Sequence, residues 1–170
     1  MKNIKRHWPV VFGGFVVAVL PCIGVQAADA VTKQGADAKT LARGKYMVQT
    51  GHCNNCHTPD YTSKEGNVPE ALWLTGSAPL GYRGDWGTTY ASNLRQSVPK
   101  FSEEQWVNYV KVMKPRAPMP FWALRDTTNE DLAAMYQYIV SLGAAGAPTP
   151  DFVPPGQEPK PPYETRRLVQ

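Results

Sequence analysis

Two cysteines and a histidine stand together in Cys53-Asn54-Asn55-Cys56-His57. Thiols three residues apart lie about one helical turn apart, so both can add across the two vinyl groups along one edge of a haem. The histidine that follows is then placed under the iron with its imidazole aimed at the metal. This is the spacing of c-type haem attachment. A chain of this composition would produce it by chance about 0.001 times, so coincidence is set aside. Three other uses of the same residues are weaker. A zinc site would have to draw on His52, Cys53, Cys56 and His57, and four ligands crowded into six residues can hardly surround one ion tetrahedrally. A thioredoxin-like dithiol follows a strand and opens a helix, whereas this pair follows a helical segment and leads into Thr58-Pro59-Asp60. A structural disulfide is open to an exported protein but leaves His57 without a role.

An iron held by His57 on one face needs a ligand on the other. His7 falls in the N-terminal leader described below, and His52, one residue before Cys53, belongs to the attachment edge. That disfavours a second histidine and leaves the methionines. Met47, Met113 and Met135 fall on the apolar faces of predicted helices, where core packing is their ordinary role. Met119 differs, because it lies in Pro115-Arg116-Ala117-Pro118-Met119-Pro120. Three prolines bar this stretch from a helix and stiffen it, which suits holding a thioether sulfur against an iron. Met119 is the expected distal ligand, with an ordinary loop methionine as the alternative.

Three helices are predicted to position these groups. Asp37 can cap the first, from about Ala38 to Thr50, with Leu41, Gly44 and Val48 on one face. A second begins at the capping box Ser102-Glu103-Glu104-Gln105, presents Trp106, Tyr109, Val110 and Met113, and stops at Pro115. A third starts at Thr128, with Asp131 three residues on, carries Leu132, Met135, Tyr136 and Ile139, and ends at Gly143. The first and third are expected to cross where Gly44 lets their backbones approach. Between His57 and Ser102 the sequence is rich in glycine and proline. So long a loop is unusual in a compact domain, unless it wraps a porphyrin face and buries Leu72, Trp73, Leu80 and Leu94 against it. Trp86, Tyr90, Asn93 and Arg95 in this loop carry donors for the two haem propionates.

These pieces resemble the class I, single-haem cytochromes c of the bacterial export pathway. The matching segments are Arg43-Gly44-Lys45-Tyr46, Cys53 to His57, Tyr90-Ala91-Ser92-Asn93-Leu94, Met119-Pro120 and Asn129 to Tyr138, together covering roughly Ala38 to Leu142. The resemblance implies an all-α cytochrome c fold, with three main helices and long loops wrapped around one covalently attached haem c. It implies thioether bonds at Cys53 and Cys56, with His57 and Met119 as the iron ligands. The sequence departs from the family in its long segment between His57 and Met119 and in its proline-rich tail. The function implied is that of a one-electron carrier, not an enzyme, shuttling electrons from an exported flavin- or quinone-dependent dehydrogenase towards a terminal oxidase or another cytochrome. The alternatives are a haem subunit held tightly in a dehydrogenase complex, or an open-iron peroxidase or gas-binding protein. A two-haem peroxidase would need a second C-x-x-C-H, and the sequence has none.

Composition sets the remaining bounds. The 170 residues suit one domain with a single core. Lys2, Lys5 and Arg6 precede the apolar run from Val10 to Leu20, and Val25-Gln26-Ala27 offers small residues for cleavage, so residues 1–27 read as a signal peptide. The expected location is the periplasm. An uncleaved anchor from Trp8 to Val25 is the alternative, and lipidation at Cys22 is disfavoured by Pro21. Without the leader, 15 basic residues face 14 acidic ones, too even a balance for a nucleic-acid-binding face. Residues 28–143 form the expected haem domain. Residues 144–170 contain seven prolines and read as an extended tail, either wrapped over the domain or disordered, with partner docking as the alternative. Lys111, Lys114, Arg116 and Arg125 flank Met119 in sequence and would favour an acidic docking partner if they ring the haem edge.

Overall fold

Local capping chemistry starts each long helix of the computed structural model, which describes residues 36–167. The expected signal peptide lies outside those residues. Helix α1 (Ala38–Thr50) begins where the Asp37 carboxylate accepts from the amides of Lys39 and Thr40 at 2.9 and 3.0 Å. A short helix, α2 (Cys53–His57), follows the Gly51-His52 link, in which His52 takes the left-handed conformation at φ 57°. After a long loop come the hairpin β1 (Gly81–Gly84) and β2 (Gly87–Thr89) and the single turn α3 (Leu94–Ser97). Helix α4 (Glu103–Val112) opens with the reciprocal Ser102–Gln105 capping box. Helix α5 (Phe121–Asp126) precedes α6 (Asn129–Ser141), where the Thr128 hydroxyl accepts from the Asp131 amide at 3.1 Å. The last strand is β3 (Tyr163–Thr165).

The core forms where α1, α4 and α6 pack together with the intervening loop. Val48 comes from α1, Trp106 and Val110 from α4, Leu132, Met135 and Ile139 from α6, and Val68, Trp73 and Leu74 from the loop. Each fully buried side chain of this size contributes about 1.5–3 kcal/mol. Helices α1 and α6 approach most closely at Gly44, where a Cβ would collide with the Ala134 carbonyl oxygen and lie 2.7 Å from Tyr138 Cβ. From the residue next to Gly44, Arg43 grips Asp131 on α6 with two hydrogen bonds of 2.7 and 2.9 Å. The long loop is tied down by Lys45, whose ammonium meets Glu70 at 2.5 Å, and by the Tyr138 hydroxyl, which donates to the same carboxylate at 2.8 Å. Trp73 donates its indole N–H to the Val68 carbonyl at 2.8 Å.

The architecture is helix-rich, as the sequence predicts, and adds the short helices α2, α3 and α5 and a small sheet. Helix α5 fills a stretch with no helix-capping side chain, since its N-cap is Pro120. The glycine-rich hairpin is a real β1–β2 pair, and β3 joins it in parallel to give the order β2-β1-β3. The proline-rich tail is therefore wrapped over the domain and hydrogen-bonded to it. Val153 also exchanges hydrogen bonds of 2.8 and 3.0 Å with Thr88. Pairing between segments some 80 residues apart leaves no local pattern to read. Among the described residues no helix is long and apolar enough to cross a membrane.

Candidate haem site

Helix α2 presents the attachment motif at the end of α1. His57 is buried, and its Nδ1 lies 2.8 Å from the Ser92 carbonyl oxygen. A carbonyl accepts only, so Nδ1 carries the proton and Nε2 keeps its lone pair for a metal. Burial pushes the imidazole below its ordinary basicity, and the bond to Ser92 acts the other way. A neutral ring with a fixed tautomer is the form that ligates iron. Cys53 and Cys56 are half-buried free thiols on the same short helix. Burial pushes the Cys53 thiol up to about 11. Burial, with the Cys56 thiol as neighbour, holds the Tyr82 hydroxyl well above its ordinary value.

Backbone and hydroxyl contacts hold α2 in place. The Thr58 hydroxyl donates to Asn54 Oδ1 at 2.7 Å and accepts from the Leu74 amide at 2.8 Å. The Gly76 amide donates to the His57 carbonyl at 2.8 Å. Leu74 is fully buried at φ 61°, an uncommon conformation for a bulky residue. The Leu94 amide holds it from the other side by donating to its carbonyl at 2.9 Å. Tyr82, Thr58 and the Ser92 carbonyl are site elements that sequence reading missed. A backbone carbonyl has no residue signature, and nothing in the spacing marks the other two.

The remaining expected residues divide clearly. Met119 is half-buried in the turn before α5, its amide donating to the Arg116 carbonyl at 3.3 Å. Met135 is buried in the core, and Met47 and Met113 pack against it. Leu72 is 52% exposed, whereas Trp73 lies within the protein core and Leu94 packs on it. Asn93 and Arg95, expected at the propionates, instead turn their donors to backbone carbonyls. Asn93 Nδ2 donates to Ala145 and Ala147 at 2.8 and 3.0 Å. The buried Arg95 guanidinium donates to Gly143 at 2.6 Å, to Ala71 at 2.7 Å and to Leu142. A cation there meets the negative end of α6, whose last carbonyls lack helical partners. Tyr90 is half-buried beyond β2. Trp86 is half-buried with its Nε1 enclosed and without a partner, and Thr89 Oγ1 on the same hairpin is likewise unpaired. Of the basic residues near Met119, Lys111 donates to the Arg125 and Thr127 carbonyls, Arg116 lies 4.1 Å over the Phe152 ring, and Arg125 pairs with Asp126 at 2.8 Å.

Two unpaired thiols one turn apart, a buried imidazole with a free Nε2 and a buried indole N–H awaiting an acceptor fit a covalently bound haem with its carboxylates. Among the described residues no cluster of three or more His, Cys, Asp or Glu side chains could hold a zinc ion, and the two cysteines are not bonded to each other. The site is that of a c-type haem protein. Residues 41–143 match the family model described as Cytochrome c, and the chain belongs to the cytochrome c family. Membership implies one covalently attached haem c, and Cys53, Cys56 and His57 fit its C-x-x-C-H attachment motif. It is similar to the gluconate 2-dehydrogenase cytochrome c subunit of Pantoea cypripedii, 32% identical over 144 residues that cover 73% of this chain and 31% of that protein. It is also similar to the alcohol dehydrogenase (quinone) cytochrome c subunit of Gluconobacter oxydans (strain 621H), 25% identical over 161 residues covering 83% of this chain and 30% of that protein. The chain thus spans about a third of the length of the curated relatives it matches. No solved structure matches it.

Proposed function

We propose that this protein is a one-electron carrier of the periplasm whose iron is ligated by His57 and Met119. The observation that carries the reading is the buried His57 ring, with Nδ1 engaged by the Ser92 carbonyl at 2.8 Å and Nε2 left free. The haem, when bound, supplies reversible Fe(III)/Fe(II) exchange. The chain's part is to hold both axial positions, which shuts out small substrates, and to bury the iron in low dielectric. A borderline imidazole and a soft thioether together favour Fe(II) relative to two nitrogen ligands. Trp86, with its unpaired indole N–H, and Tyr90 are the residues left to meet the propionates. Export rests on Lys2, Lys5 and Arg6 ahead of the apolar leader.

The reduction partner in this reading is an exported flavin- or quinone-dependent dehydrogenase, and the acceptor is a terminal oxidase or another cytochrome. The names of the two relatives favour a second form of the same role, a haem subunit held in a dehydrogenase complex. Stable co-purification of a catalytic chain would select that form over a diffusing carrier. The test of the ligand set is the visible spectrum of the oxidised protein. A weak far-red Met-to-iron(III) band, lost in Met119→Ala, is expected. A high-spin spectrum that shifts on adding cyanide would overturn the closed site and favour an open-iron enzyme or sensor.

A further inference from the structure

We propose that the C-terminal tail tunes the axial imidazole, through a hydrogen bond from the 92–93 peptide group to Thr149. Ser92 C=O and Asn93 N–H belong to one peptide unit. Its carbonyl accepts from His57 Nδ1 at 2.8 Å, and its N–H donates to Thr149 Oγ1 at 2.8 Å. In a planar trans peptide these two groups point in opposite directions, so the unit bridges from the tail to the haem-facing histidine. The tail is fixed on both sides of Thr149. Before it, Asn93 Nδ2 holds the Ala145 and Ala147 carbonyls, and Gln96 Nε2 holds that of Gly146 at 2.8 Å. Gly146 allows this approach, since a Cβ there would lie 2.7 Å from Thr75 Cβ. After it, Val153 is paired in both directions with Thr88.

An acceptor on the N–H polarises the peptide and strengthens its carbonyl as an acceptor. A stronger acceptor at Nδ1–H makes the imidazole a better donor to a metal, which stabilises Fe(III) and lowers the reduction potential. Thr149 reaches His57 through the 92–93 peptide group, so it is a positioning residue. It lies beyond residues 41–143, the part of the chain that matches the family. The inference rests on His57 being an axial ligand.

The test uses the full haem-loaded chain with Thr149→Val, which removes the acceptor while keeping the shape, and Thr149→Ser, which restores it. Midpoint potentials are read by spectroelectrochemical titration, and the His57 Nδ1–H resonance by NMR of the reduced protein. Thr149→Val is expected to raise the potential and speed exchange of that proton, with Thr149→Ser matching wild type. Mere loosening of the tail would admit water to the haem and lower the potential, so the sign separates the two causes. Thr149→Ala removes the same acceptor with less bulk and gives a second reading of that sign. An unchanged or lowered potential in both variants overturns the inference while leaving the ligand assignment intact. If the wild-type His57 ring lacks the ring-current shift of a haem ligand, the axial reading itself falls and takes the inference with it.

Discussion

Replacing Gly44 with alanine sets local propensity against tertiary packing. In mid-helix, alanine is favoured over glycine by about 1 kcal/mol, so α1 taken alone would be stabilised. Packed against α6, the same change introduces a Cβ that collides with the Ala134 carbonyl oxygen and lies 2.7 Å from Tyr138 Cβ. Carbon atoms at contact prefer about 3.5–4.0 Å, so the helices must part by about 1 Å, which forfeits a quarter to a half of each dispersion well across the seam. Val48, Leu132, Met135 and Ile139 all pack in the core that this seam helps to close. Overpacking costs up to about 3 kcal/mol, and subtracting the propensity gain leaves a net loss of about 2 kcal/mol. For a domain of this size that is about 4–8 °C in Tm. The assay is guanidinium and thermal unfolding of the haem-loaded protein, followed by helix circular dichroism. Gly143→Ala is the control, because no atom lies within 4 Å of its added Cβ, and its φ of +70° limits the cost to about 1–2 kcal/mol of backbone strain. A Gly44→Ala protein as stable as wild type would refute the close crossing of α1 and α6.

Two further outcomes are expected. The Asp131 carboxyl is held below the ordinary carboxylate range, first by the hydrogen bond from Arg43, and Glu70 likewise by the bond from Lys45. A depressed folded-state value stabilises the protein above about pH 4 and is lost as pH falls through that value. Asp131→Asn should therefore flatten the loss of stability between about pH 5 and 2, and stability curves for the two proteins that run parallel over this range would contradict it. The double variant Cys53→Ala/Cys56→Ala should lose haem staining on a denaturing gel and, with it, cooperative unfolding. A sharp, native-like transition in that protein made without haem would show that the cofactor does not complete the core.

The attachment chemistry was legible in sequence because it is local. Two thiols, a histidine and one helical turn define it, whatever the rest of the chain does. The three long helices were legible for the same reason. Asp37, Ser102 and Thr128 satisfy amides within three residues of themselves, and Gly44 marks a close approach because only a missing side chain permits one. Helix α5 was not legible, since it has neither a side-chain cap nor enough turns to show a period.

What only the tertiary structure decided concerns partners distant in sequence. Asn93 and Arg95 carry donors that suit a propionate equally well, and the choice fell to carbonyls at 71 and 142–147, which arrive from elsewhere in the chain. The tail's prolines announced an extended conformation but not its destination, because a strand is stabilised by the edge it meets, here β1. The acceptor for His57 is a backbone carbonyl 35 residues away. Every residue has such a carbonyl, so its position, not its type, made Ser92 part of the site.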